Sequence, residues 1–238
     1  MTMSWRHLLA SHWPVDPDLL AEGLPDGLSL DLWEGKAWLS VVPFEMANVS
    51  PRGLTWWPRQ MCFPELNLRT YVHVHGEKPG VWFYSLDAAS RLTVMGARRL
   101  FYLPYFMAEM KCEPHPDPTI EDVRYESVRT HSNAPSAEFL ATYRPTADAL
   151  DVDPKSFDHW IMERYCLYSA NKKGTIFRCD VHHQRWPLRP AEVEIEKNSI
   201  FQSIGLDLPA EPVQSHFARN IDTLGWGLQK VNLPQFPR

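Results

Sequence analysis

Along most of this chain apolar and polar residues alternate with a period of two, the pattern of half-buried strands. Leu66 to His75 and Val81 to Leu86 follow it, and the Gly76-Glu77-Lys78-Pro79-Gly80 turn between them predicts a hairpin. Leu28–Leu32 and Lys36–Met46 read as a second hairpin around Glu34-Gly35, with Pro43 marking a bulge, bend or edge. After Pro104 a strand resumes, with Phe106, Ala108, Met110 and Cys112 on one face and Tyr105, Glu109 and Lys111 on the other. Further strands are expected over 123–130, 137–143, 165–169 and 175–182, with Asn171 to Gly174 as a tight turn.

Helical spacing is confined to short stretches. Asp16 to Gly23 has a capping aspartate, Pro17 in the first turn and a terminal glycine. Ala88 to Leu100 repeats Leu92, Met95, Ala97 and Leu100 before Pro104 stops it. Ser156 caps a short helix, and Pro190 to Lys197 reads as a last one. Asn48 to Pro64 has no period; its Trp56-Trp57-Pro58 reads as a loop that plugs the core edge, folds over a ligand or forms an oligomer contact.

Composition supports a β-rich reading. The 21 prolines oppose long helices, and 10 tryptophans suit pleated surfaces. With 238 residues, 44% of them hydrophobic, the chain reads as one domain, mainly β with a few short helices. The formal net charge of −5 and the lack of any basic run beyond Arg98-Arg99 and Lys172-Lys173 argue against nucleic acid. There is no apolar stretch long enough for a membrane span and no export segment at the N-terminus, and the four cysteines lack paired spacing. A cytoplasmic protein with reduced thiols is expected.

Candidate chemistry is sparse. Alternation puts Glu65, Asn67 and Arg69 on one strand face, a row that suits either a polar ligand in an apolar barrel mouth or a structural ion pair. His73 and His75 share a face, but the turn that follows leaves them without a third metal ligand, so no metal is expected. Phosphate loops, dinucleotide fingerprints and nucleophile elbows are missing, and no cofactor is expected. Glu163-Arg164-Tyr165 reads as structural rather than as a pocket wall.

Two groups of segments carry a resemblance. Val15 to Leu20 with Leu24 to Leu28, and Ala97-Arg98-Arg99-Leu100 leading to Leu103-Pro104-Tyr105-Phe106, resemble acetoacetate decarboxylase. Phe63 to Val72, Gly80 to Ala88 and Glu163 to Tyr168 are similar to the YqjF-like family over most of the chain. The resemblance implies an acetoacetate decarboxylase-like antiparallel β-barrel. It also places Tyr105-Phe106 where the decarboxylases carry a Schiff-base lysine and its cationic neighbour. Imine chemistry is therefore not expected. By the same resemblance Glu65 falls at an active-site glutamate and Arg6 near an active-site arginine. The expected ligand is a small anionic or carbonyl-containing molecule, with Arg69 or Arg6 as anion anchor, Tyr105 as donor and Glu65 as acid/base or orienting group. A homo-oligomer is the alternative role for the apolar barrel.

Overall fold

A computed structural model describes residues 1–50 and 61–232. The Trp56-Trp57-Pro58 loop lies outside the described residues. The chain runs β1 (Thr2–Val15), α1 (Pro17–Ala21), β2 (Ser29–Leu30), β3 (Ala37–Ser50), β4 (Phe63–Val74), β5 (Glu77–Ala88), α2 (Arg91–Leu100) and β6 (Tyr105–Pro114). It continues through β7 (Val123–Arg129), β8 (Glu138–Pro145), α3 (Phe157–Met162), β9 (Cys166–Ala170), β10 (Ile176–His183), β11 (Arg189–Asn198), β12 (Gln214–Gly225) and β13 (Gln229–Lys230).

All these strands join one sheet. Its pairings are antiparallel except where β5 runs parallel to β6 and to β9. Because β5 also pairs with β4, nine strands close into a ring: β5, β6, β7, β8, β11, β12, β1, β3 and β4. A second closed circuit uses β12, β1, β3, β4, β5, β9 and β10, through the β10–β12 and β5–β9 contacts. The two circuits share β12, β1, β3, β4 and β5, so this common wall is buried on both faces.

Its alternation sorts the core into two parts. Leu66 and Leu68 of β4 face a solid cluster with Val41, Tyr125, Phe139 and Phe217. Phe63 and Tyr71, of opposite parity, face a second cluster with Phe44, Phe83 and Trp186. A buried polar chain runs along the wall: Tyr71 Oη to Ser40 Oγ at 2.5 Å, Ser40 Oγ to His12 Nδ1 at 2.7 Å, His12 Nε2 to His216 Nδ1 at 3.1 Å, and His216 Nε2 to Asp158 at 3.0 Å. Each buried polar atom in it has a partner, as burial demands.

Several expectations need correction. Pro190 to Lys197 is strand, not helix: in β11 Val193 and Ile195 point inward while Glu192, Glu194 and Glu196 are exposed, so period two overrides the helix-forming glutamates. Leu28–Leu32 and Lys36–Met46 do not form a hairpin beyond the Trp33–Lys36 bridge, because β2 pairs with β4 while β3 pairs with β1 and β4. Ala88 closes β5, and the helix begins only after Ser90, whose hydroxyl accepts the Thr93 amide. Pro43, by contrast, lies where expected: inside the shared wall, opposite the register shift between Arg6 and Ser11 where a ladder donor is dispensable.

Candidate functional site

Between β4, β5, β9, β10 and β1, with α2 at one side, lies a cavity of about 280 Å³. Its walls are mostly apolar, and the few polar groups among the described lining residues include Glu65, Asn67, Arg69, Tyr105, Arg164 and His183. Such a mixture, a mainly apolar concavity with a small number of placed polar groups, is the usual make-up of a ligand site.

Glu65, Asn67 and Arg69 reach the cavity because they share the β4 face that turns away from the solid cluster. Glu65 pairs with Phe44 on one side and Ala88 on the other, and from behind the wall Tyr125 Oη donates to its carbonyl oxygen at 2.7 Å. Tyr105 arrives from two strands away: Asn67 pairs with Leu86, and Leu86 pairs with Tyr105. The last turn of α2 fixes that junction, since Arg98 Nη1 donates to the Tyr105 carbonyl at 2.5 Å.

Tyr105 Oη donates to Glu65, lying 3.1 Å from each carboxylate oxygen. Burial raises the Glu65 carboxyl to about 7, against the weaker opposing pull of its bonds to Tyr105 and Asn67. Burial, then the adjacent carboxylate, pushes the Tyr105 phenol well above its ordinary value. The phenol therefore stays protonated as a donor, while Glu65 exchanges its proton near neutrality.

Of Tyr105 and Phe106, Tyr105 enters the cavity. Phe106 instead lies under Arg129, whose guanidinium carbon is 4.3 Å from the ring centroid. Arg129 is tied to Asp87 by a buried pair at 2.8 Å, so its charge is already matched. Lys111 is exposed on β6 and pairs with Glu126 at 3.4 Å. No lysine is among the described residues that line the cavity.

Arg6 is not among the described lining residues either. Trp5 and Leu8 both line the cavity, and the parity of β1 changes between them at His7, whose φ is 50°, which leaves Arg6 opposite Trp5 and paired in register with Glu45 and Asn220. Arg164, read from the sequence as structural, does reach the cavity. It follows α3, is only 7% exposed, and is paired with Asp31. Its two neighbours in the sequence are drawn to each other, with the Tyr165 hydroxyl donating to Glu163. Nothing in the local pattern marks Arg164, because it enters the cavity from a turn between α3 and β9.

Among the described residues no cluster of three or more His, Cys, Asp or Glu side chains could hold a metal. His73 Nδ1 accepts the Gly76 amide at 2.8 Å and so serves the turn. The four cysteines are free thiols, with Cys166 and Cys179 buried at the cavity wall. No described helix is long and apolar enough to cross a membrane.

Comparison with known proteins fits this geometry. The DUF2071 family, described as an uncharacterized conserved protein, matches residues 2–222. Uncharacterized protein YqjF of Bacillus subtilis (strain 168) is 42% identical over 230 residues, covering 97% of this chain and 92% of that protein. Among solved structures, an acetoacetate decarboxylase-like enzyme from Sphingomonas wittichii RW1 superposes with a TM-score of 0.63 at 14% identity, over 98% of this chain and 94% of the other. The enduracididine biosynthesis enzyme MppR complexed with pyruvate gives 0.63 at 13% identity, over 96% and 89%. At such identities the likeness is one of fold.

Proposed function

The chain belongs to the DUF2071 family, and from that membership and the cavity we propose that it binds a small anionic or carbonyl-containing molecule. Tyr105 serves as hydrogen-bond donor, Glu65 as acid/base and Arg69 as anion anchor. The observation that carries this reading is the Tyr105–Glu65 hydrogen bond on a cavity that also receives Arg69. A carboxyl group that titrates near 7 beside a fixed donor is suited to moving a proton at the carbon next to a bound carbonyl or at the carbonyl oxygen.

The reading involves no imine at this site, since the resemblance sets the Tyr105 phenol where the decarboxylases carry the amine. It drops Arg6 as an anchor. Pyruvate bound to an enzyme of the same fold supports a small oxygen-rich ligand. The test is a thermal-shift and calorimetric screen of carboxylic and keto acids, together with borohydride reduction and intact-mass measurement. Specific binding that Glu65→Gln and Arg69→Met weaken, with no reduced adduct, is the expected outcome. A borohydride-trapped adduct would overturn the non-imine reading, and binding indifferent to both substitutions would remove the site.

A further inference from the structure

The carboxyl and guanidinium groups of the cavity wall lie at two separated places. One is the Glu65–Tyr105 pair. The other surrounds Tyr71, six residues farther along β4, where two guanidinium groups converge. The Arg69 guanidinium carbon lies 5.7 Å from the Tyr71 ring centroid, and that of Arg164 lies 5.0 Å from the same centroid and 4.5 Å from that of Trp160. Arg69 reaches Met162 Sδ at 3.8 Å, and Arg164 is held by Asp31, whose backbone amide bonds Tyr71 at 2.9 Å. Both side chains thus extend away from Glu65.

Charge does not balance at the arginine end. Arg164 pairs with Asp31, while Arg69 has no carboxylate partner among the described residues. Three of their nitrogens, Arg69 Nε and Arg164 Nε and Nη2, are buried without a hydrogen-bond partner among the described residues. A buried, under-partnered cation is costly, and a bound carboxylate relieves that cost through charge-assisted, forked hydrogen bonds. Four residues of strand, from Glu65 to Arg69, span roughly 13 Å. Apart from Asn67 of β4, the walls between are apolar, formed by Val42, Phe44, Val81, Phe83, Leu86 and Leu167. A cavity of about 280 Å³ is of the size that takes a small organic molecule.

We infer that the ligand is an elongated monocarboxylate whose carboxylate sits between Arg69 and Arg164 and whose far end carries a carbonyl or hydroxyl oxygen facing Tyr105 and Glu65, across an apolar body. This rests on the reading of the cavity given above and narrows it. Short acids whose carbonyl carbon is bonded to the carboxylate or one carbon removed from it, such as pyruvate and acetoacetate, satisfy one end only. Arg164 becomes the specificity-determining residue, because it supplies two of the three unpartnered donors.

Calorimetry with a graded series tests this: pyruvate, acetoacetate, levulinate, 7-oxooctanoate, octanoate and methyl 7-oxooctanoate. The expected order places 7-oxooctanoate tightest. Arg69→Met and Arg164→Gln each weaken it about ten- to a hundredfold and leave the methyl ester unchanged. Glu65→Gln reduces the preference for 7-oxooctanoate over octanoate. Arg69 has no ion-pair partner among the described residues, so Arg69→Met keeps the test open should Arg164→Gln fail to fold. Pyruvate or acetoacetate binding as tightly as 7-oxooctanoate, with sensitivity to Glu65→Gln, would overturn the elongated ligand while leaving the broader reading intact. Failure of every acid to bind would overturn both.

Discussion

Glu65 is a carboxyl group placed where ionisation is costly, and that cost is measurable as stability. Its proton is held up to about 7 in the folded chain, against an ordinary 4.5. The folded state therefore binds more protons than the unfolded state between these values, and stability is lost as pH rises through that window. The full difference is about 3 kcal/mol. Asp87, raised to about 6 by burial despite Arg129, acts in the same sense. His12 acts in the opposite sense: burial, then His216, lowers it well below 6.5, so its contribution is lost as pH falls. Subtracting one protein from another isolates Glu65. Urea unfolding of wild type and Glu65→Gln is expected to show the variant gaining relative stability from pH 5 to pH 8 by roughly 2 to 3 kcal/mol, the scale of that shift; a constant difference would mean that Glu65 titrates normally. At this level the sequence was informative where alternation applied. Glu65, Asn67 and Arg69 were legible as one row because β4 keeps strict period two. Arg164 was not, since no period governs a residue in a turn. Arg6 was named from the resemblance alone, with no pattern of its own to place it, and it is not among the described residues that line the cavity.

The strands that carry the site are legible in proportion to how unequal their faces are. β11, with glutamates out and aliphatics in, shows a clear period in the structure, yet glutamate's helix propensity favours the opposite reading. β1 and β12 belong to the wall buried on both sides, where serine, histidine and tryptophan mix with aliphatics, and neither was foreseen. Pairing between distant elements is the other part the pattern does not hold, as with the parallel contact of Val81 with Leu167 that joins β5 to β9. That contact closes the cavity and has a sharp steric requirement. A Cβ on Gly80 would lie 2.6 Å from Cys166 Sγ and 2.7 Å from the Cys166 carbonyl oxygen. Gly80→Ala is expected to cost about 1–3 kcal/mol through overpacking, read as a lower Tm, and to weaken ligand binding because Cys166 lines the cavity. An unchanged Tm would show that β5 and β9 are less tightly apposed.

For the molecule as a whole, one sheet closes twice, and the two circuits divide the interior into a solid core and a cavity. The solid side, with Tyr125, Phe139, Tyr143 and Phe217, holds the shared wall rigid. The cavity side places its polar groups on that wall, so each is fixed by packing from behind, as Tyr125 fixes Glu65. The β-rich class and the closed sheet were legible from composition, turn chemistry and resemblance, and the fold neighbours bear them out. The division into two compartments was not, because it depends on which distant strands meet. The account turns on a protonated Glu65 exchanging its proton at an occupied cavity, and carboxyl-selective NMR of Glu65 titrated with and without saturating 7-oxooctanoate observes this group alone. A midpoint near 7 that moves when the acid is bound is the outcome the account predicts; a midpoint near 4.5, unmoved by the acid, would refute it.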